Sequence, residues 1–178
     1  MTPDKSEGFE CCVDADFAGG FKPTEAHDPT SCLSRTGCVI VCAGCPIVWS
    51  SKLQRTIALS TTEAECVALS TAPRDVIHLI NLTDEFNKCG TPVTANHLPK
   101  IVCKTHEDNS GALELTNNHK VRPRTKHLAI QLHHLCSHTD DRRITVHKIS
   151  TKHQIADTLT KPLPRETFQC LRSLVIGW

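Results

Sequence analysis

The chain contains no tyrosine, and aromatic residues of all kinds make up only 4% of its 178 positions, so aromatic packing cannot carry its core. It also lacks a long apolar run. The longest nearly apolar stretch, Gly37 to Trp49, is well short of the roughly 20 residues that a membrane-spanning helix needs, which excludes such a helix. The opening residues, Met1 to Glu10, are polar and have no apolar centre of the kind a secretory signal carries. An excess of one charge is missing too. The net charge is +1, so any affinity for nucleic acid has to come from a local basic patch and not from the molecule as a whole. What is present, 39% hydrophobic and 22% charged residues, is the composition of one ordinary globular domain large enough to bury a core. The expectation is a soluble, intracellular protein.

Cysteine is the compositional oddity, with eleven copies. Without a secretory signal, an odd number scattered over the whole length reads as reduced thiols and not as a disulfide framework. Cys42 and Cys45 form a C-x₂-C with Cys38 just upstream, and eleven histidines are available, so a zinc site has to be weighed. No second C-x₂-C or H-x₃-H pair stands at a zinc-finger spacing to complete a tetrahedron, although His134 and His138 share a helical i, i+4 relation. The run Cys38 to Cys42 is apolar and β-type, where free cysteine behaves as a small buried hydrophobe. No zinc site is expected.

Punctuation by turn residues divides the chain into elements. Glu10 to Ala15 reads as a strand, followed by a loop containing Gly19-Gly20, Pro23 and Pro29. Thr36 to Cys42 and Pro46 to Ser50 read as two strands of a hairpin joined across Ala43-Gly44-Cys45. Ser60-Thr61-Thr62 opens a helix, because Ser60 with Glu63 and Thr62 with Glu65 both have capping-box spacing. Ala64, Val67, Ala68, Val76, Leu79, Ile80 and Phe86 keep helical spacing and give it one buried face. Pro73 interrupts that pattern, and since an interior proline costs ~3 kcal/mol the expectation is a kink or break near Ala72. Beyond the turn-rich stretch Gly90 to Pro99, a strand starting at Ile101 runs toward Asp108. A short helix at Ala112 to Thr116, a basic loop at His119 to His127 and an amphipathic helix through Leu128, Leu132 and Leu135 follow. Ile144 to Ile149 alternates as a strand, and a final helical region begins at Ile155. Strands followed by interleaved helices predict an α/β sheet with helices on its faces.

Four acids, Asp14, Glu65, Asp108 and Asp157, fall at expected strand ends or helix starts. Ionised carboxylates are the ligands that hard divalent cations such as Mg²⁺ prefer, and a pair of such ions can clamp the attacking and leaving oxygens of a phosphodiester. Each acid also has a structural explanation. Asp16 shares a strand face with Asp14 and competes with it; Glu65 could close a capping box with Thr62; Asp108 beside Asn109 could be a turn pair; Asp157 could answer a helix dipole.

The segments Val13 to Gly19, Trp49-Ser50-Ser51-Lys52, Ala58 to Glu65, Asp108-Asn109, Arg124-Thr125-Lys126-His127 and Ala156 to Pro164 together resemble, in order and spacing, the ribonuclease H domain at the C-terminal end of Copia-type retrotransposon polyproteins. The resemblance covers almost the whole chain. It implies a ribonuclease H-like fold, a five-stranded mixed sheet with three antiparallel strands first and two parallel ones after, flanked by helices. It further implies a single domain over 1–178, with 1–9 either disordered or a remnant of the upstream connection and 164–178 a C-terminal helical tail. By the same resemblance Asp14, Glu65, Asp108 and Asp157 are the catalytic and metal-binding carboxylates. Two Mg²⁺ ions, replaceable by Mn²⁺, are the expected cofactors, and the reaction is hydrolysis of the RNA strand of an RNA/DNA hybrid during reverse transcription. Asn109, Ser110, Lys120, Arg122, Arg124 and Lys126 are candidates for nucleic-acid contact. A reverse transcriptase domain is expected upstream in the full polyprotein, no membrane partner is expected, and the location would be a cytoplasmic element particle or the nucleus. A transposase or integrase of related fold is disfavoured, because those enzymes take their glutamate from a later helix. His153 does not match the loop in which some ribonucleases H carry a mobile histidine, and reads as an exposed side chain.

The sequence departs from the family pattern at Cys12, Cys38 and Cys66, where relatives typically have tyrosine, at Phe17, where tryptophan is usual, and at Pro73. These departures support an alternative, a catalytically decayed retroelement domain that keeps only nucleic-acid or protein binding. Each large-to-small change costs on the order of 1–4 kcal/mol where buried. The purified domain should therefore melt below about 50 °C in differential scanning calorimetry; a cooperative transition well above that would contradict a core short of aromatic volume.

Overall fold

The computed structural model describes residues 8–25, 27–91, 101–118 and 126–177. Five strands, β1 (Phe9–Asp16), β2 (Arg35–Cys42), β3 (Cys45–Leu53), β4 (Cys103–Glu107) and β5 (Ile144–Lys148), form one sheet in the order β3-β2-β1-β4-β5. β1, β2 and β3 pair antiparallel, whereas β4 runs parallel to both β1 and β5. The expected three-plus-two mixed sheet is therefore the observed one. Residues 1–7 and most of the stretch between Gly90 and Pro99 lie outside the described residues.

The β2–β3 connection is tighter than the expected three-residue turn. Ala43 and Gly44 have φ of 52° and 74°, the left-handed conformation at both central positions that a two-residue type I′ turn requires. Gly44 adopts it freely and Ala43 at some cost. The turn brings Cys42 opposite Cys45.

Helix α1 (Thr61–Lys88) starts where a capping box places it. The Ser60 hydroxyl accepts from the Glu63 amide at 3.1 Å, and the Glu63 carboxylate accepts from the Leu59 amide at 2.9 Å. The second candidate box, Thr62 with Glu65, is not used, because Glu65 already stands in the second turn. Of the kink or break expected at Pro73, the break does not occur; α1 runs through it as one helix. Leu69 and Ala72 before the proline, and Val76 and Ile80 after it, are buried in the same core. Burying side chains such as Leu69 and Ile80 is worth roughly 1.5–3 kcal/mol each, which outweighs the ~3 kcal/mol that the proline costs.

α1 shares its face of the sheet with α2 (Ser110–Asn118) and α3 (Lys126–Asp140), which add Ala112, Leu128, Leu132 and Leu135 to a core containing Cys11, Val13, Ile40 and Ile144. The opposite face carries a smaller core in which Cys12 and Val39 meet Ile155, Ala156 and Leu171 from the region of α4 (Asp157–Thr160) and α5 (Arg165–Ile176). Cys12, Cys38 and Cys66 are all buried, and the eleven cysteines are unpaired. Among the described residues no helix is long and apolar enough to cross a membrane.

The seat of α4 is set by one glycine. A Cβ on Gly37, in the middle of β2, would stand 2.6 Å from Thr160 Cγ2 and 2.8 Å from the Ala156 carbonyl oxygen. Only a residue without a side chain lets α4 lie this close to the sheet. Gly37→Ala should destabilise the protein by about 1–3 kcal/mol in urea unfolding, since a backbone carbonyl has to shift to admit the methyl group; an unchanged midpoint would show that α4 is not held against β2.

Candidate metal and active centre

The parallel pairing of β1 with β4 brings the C-terminal ends of both strands to the same rim of the sheet. Asp14 stands near the end of β1 and Asp108 directly follows β4. Glu65, in the second turn of α1, approaches from one face of the sheet and accepts a hydrogen bond from the Ala15 backbone amide. One carboxylate oxygen from each of Asp14, Glu65 and Asp108 lies within 4.8 Å of the others. Among the described residues this is the group of three or more potential ligands close enough to share an ion. Asp16, the rival to Asp14, is not part of it; its side chain instead folds back over Gly19.

Asp157 opens α4 on the other face and reaches Asp14 rather than the whole triad. Lys161 joins the two, with its Nζ at 2.8 Å from Asp157 Oδ1 and 3.6 Å from Asp14 Oδ1. The other oxygen of Asp14, Oδ2, accepts from the Thr160 hydroxyl. Asp108 Oδ2 accepts from the Thr151 hydroxyl at 2.7 Å, and Gln154, fully buried, donates to the Val13 carbonyl at 2.8 Å. These contacts tie the segment 151–161 to the ends of β1 and β4, so that four acids distant in the chain share one neighbourhood.

Burial and like charge together make Glu65 and Asp157 hold their protons more tightly than usual. Loss of hydration is the largest effect on Glu65, followed by the charges of Glu107, Asp14 and Asp108, and its carboxyl is pushed up from 4.5 to about 10. Burial likewise raises Asp157 to about 6, with the nearby Lys161 opposing the rise. Repulsion alone is thus not the main cause; desolvation comes first. Lys161 responds in the opposite sense: burial works against its charge, but its contact with Asp157 and the charges of Asp14, Asp157 and Asp108 outweigh that and hold its pKa above the usual lysine value.

Sequence reasoning missed several members of this site. Glu107, the last residue of β4, is a fifth acid, fully buried, with Oε1 accepting from the Asn109 amide at 2.9 Å and Oε2 unpartnered. Burial pushes it up to about 8, against the hydrogen bond from Asn109. Strand alternation puts Glu107 on the core face, where an acid would not be sought. Lys161 and Thr160 had a readable signal, since Asp157 and Lys161 are four apart and such pairs meet on a helix.

The candidates for nucleic-acid contact are only partly described. Lys120, Arg122 and Arg124 lie outside the described residues, and Lys126, the first residue of α3, is exposed. Ser110 is exposed at the start of α2, next along the chain from Asp108 and Asn109. Asn109 has a structural duty, its Oδ1 accepting from the Ala112 amide at 3.0 Å as the cap of α2. His153 is exposed in a short 3₁₀ turn. Cys42 and Cys45 are half-buried at the hairpin.

The arrangement has close relatives in solved structures. The chain superimposes with a TM-score of 0.56 and 14% identity on the N-terminal RNase H domain of rv2228c from Mycobacterium tuberculosis, covering 93% of this chain and 96% of that one. With LC11-RNase H1, solved in complex with an RNA/DNA hybrid, the TM-score is 0.54 at 15% identity, over 85% and 93% of the two chains. The fold is that of ribonuclease H. At the level of sequence the chain is 35% identical over 163 residues, 92% of its length, to the retrovirus-related Pol polyprotein from transposon TNT 1-94 of Nicotiana tabacum. It is 33% identical over 156 residues to the corresponding polyprotein from transposon RE2 of Arabidopsis thaliana. The sequence relatives of the chain are thus Pol polyproteins of Copia-type plant transposons, and its structural neighbours are RNase H domains. It spans about a tenth of the length of these curated relatives (11% and 10%). No family model matches the chain.

The raised acids have a consequence for stability. Glu65, Glu107 and Asp157 bind protons more tightly in the folded chain than in the unfolded one, so their favourable contribution is complete below about pH 4 and is lost as pH rises through about 6, 8 and 10. In a chelator, the melting temperature should fall between pH 6 and pH 9. Adding Mg²⁺ should flatten that decline; a melting temperature that rises over this range without metal would contradict the burial of these carboxyls.

Proposed function

We propose that this domain is a ribonuclease H, an endonuclease that hydrolyses the RNA strand of an RNA/DNA hybrid during reverse transcription of a retrotransposon. The observation that carries the reading is the convergence of Asp14, Glu65 and Asp108 within 4.8 Å, with Asp157 one side chain away, at the rim where β1 and β4 end. The donor set fits a hard divalent cation. It is entirely oxygen, it is acidic, and Glu65 Oε2 is buried without a hydrogen-bond partner, a state that costs free energy unless something positive completes it. Asp14, Glu65 and Asp108 would hold one Mg²⁺ or Mn²⁺ ion, and Asp14 with Asp157 a second. When bound, such ions lower the pKa of the attacking water and stabilise the charge on the departing sugar oxygen.

The remaining work falls to the chain itself. Thr160 and Thr151 fix the orientation of Asp14 and Asp108 through their hydroxyls, so that the acids do not have to be ordered when substrate arrives. Buried Glu107 packs beneath the cluster, where burial raises its carboxyl well above the usual glutamate value. Exposed Ser110, with Asn109 beside it, is positioned next to Asp108 for a hydroxyl of the ribose. That contact would distinguish RNA from DNA. Lys126 and the basic residues Lys120, Arg122 and Arg124 would take phosphates of the hybrid and fix its register. LC11-RNase H1, of the same fold, was solved with an RNA/DNA hybrid, which supports this choice of substrate. A reverse transcriptase domain elsewhere in the polyprotein is the expected working partner.

In a gel assay on a labelled hybrid, the wild-type domain should cleave the RNA strand only with Mg²⁺ or Mn²⁺, leaving 5′-phosphate and 3′-hydroxyl ends. Asp108→Asn should lower the rate by more than about a hundredfold. Cleavage surviving both that change and chelation would overturn the nuclease reading. Salt-sensitive binding without products would instead favour a domain that has kept its hybrid surface and lost turnover.

A further inference from the structure

The acidic cluster is electrostatically divided. On the side of Glu65 and Asp108, the contacts are made by neutral groups, the Ala15 amide and the Thr151 hydroxyl. On the side of Asp157, a full positive charge is already present. The side chains of Asp14 and Asp157 are 2% and 4% exposed, and the Lys161 ammonium sits at 3.6 Å and 2.8 Å from them. Two carboxylates this deeply buried and this close need a cation between them, and the protein supplies one from its own chain. Lys161 caps the end of α4 in an extended conformation, and its amide is held by the Asp157 carbonyl. Its side chain remains one-third exposed, so the ammonium has a path to solvent while the backbone stays in place. The 2.8 Å contact with Asp157 Oδ1 is a close ion pair, and the 3.6 Å contact with Asp14 Oδ1 a looser one.

We propose that Lys161 is a positioning residue that acts as a built-in counter-ion: it holds Asp14 and Asp157 together when no divalent ion is bound, and it must be displaced for an ion to occupy that half of the site. This rests on reading the four acids as a metal centre. The two halves then differ in affinity. An ion entering among Asp14, Glu65 and Asp108 meets the lysine only through its longer 3.6 Å contact with Asp14, whereas one entering between Asp14 and Asp157 has to break the 2.8 Å contact as well. Loading is stepwise, and the Asp157 half is the weaker. Cleavage would accordingly require a higher divalent-ion concentration than first binding does.

Calorimetric titration of the 178-residue chain with Mn²⁺, without nucleic acid, tests this directly. Wild type should show one tighter and one weaker class of site. Lys161→Gln should tighten the weaker class by about tenfold, with a smaller effect on the tighter one, and should lower the melting temperature in chelator. Lys161→Arg, which keeps the charge, should restore wild-type behaviour on both counts. A weaker class that is unchanged or weakened in Lys161→Gln would overturn the proposal. Should that variant not fold, wild type decides alone: acetylation of the Lys161 amine by acetic anhydride, read by mass spectrometry, should increase several-fold when Mn²⁺ is added. Unchanged or reduced acetylation would refute displacement. If wild type binds no Mn²⁺ at all, the metal-centre reading itself fails, a result distinct from two proteins binding equally.

Discussion

Taking carboxylates of like charge out of water at one rim of a sheet is the constraint on which the rest of this structure depends. Asp14, Glu65, Glu107 and Asp157 are all nearly or fully buried, and Asp108 adjoins them. In such surroundings a charge is tolerated only if a cation, a proton or a set of donors answers it. All three answers are visible. Lys161 serves Asp14 and Asp157, protons serve Glu65 and Glu107, and the hydroxyls of Thr160 and Thr151 serve Asp14 and Asp108.

The fold accommodates these buried acids by concentrating ordinary cohesion elsewhere. The larger core, built by α1, α2 and α3 on one face of the sheet, is aliphatic and cysteine-rich, and α1 continues through Pro73 against it. The smaller core under α4 and α5 has a narrower purpose. It presses the segment carrying Asp157, Thr160 and Lys161 against β2 at Gly37, where no side chain intervenes. The first face thus brings Glu65 to the rim on α1, and the second holds Asp157 near Asp14.

Much of this was legible along the chain. The hairpin, the start of α1 at Ser60 and the alternation of strands with helices follow from local rules that depend on a few neighbouring residues. So does the placement of Asp14, Asp108 and Asp157 at element ends. The misreadings share a physical cause. Pro73 was expected to break α1 because propensity is local, whereas the packing that overrides it comes from residues in β1, β2 and α3. Glu65 could be mistaken for half of a capping box because Thr62 has the right spacing; only the hydrogen bonds of Ser60 and Glu63 exclude it. Glu107 gave no signal, because an alternating strand pattern marks its position as core.

By itself the sequence determined the inventory: which side chains can ionise, the order of strands and helices, and the family register that singled out four acids among nineteen acidic residues. Those properties belong to short segments and survive without a folded partner. Tertiary structure alone decided that Lys161 stands between Asp14 and Asp157, that Glu107 lies buried beneath the cluster, and that Glu65, Glu107 and Asp157 hold their protons more tightly than usual. Such properties arise from distance and from exclusion of water, and neither exists until β1, β4, α1 and α4 have closed around the same few ångströms of space.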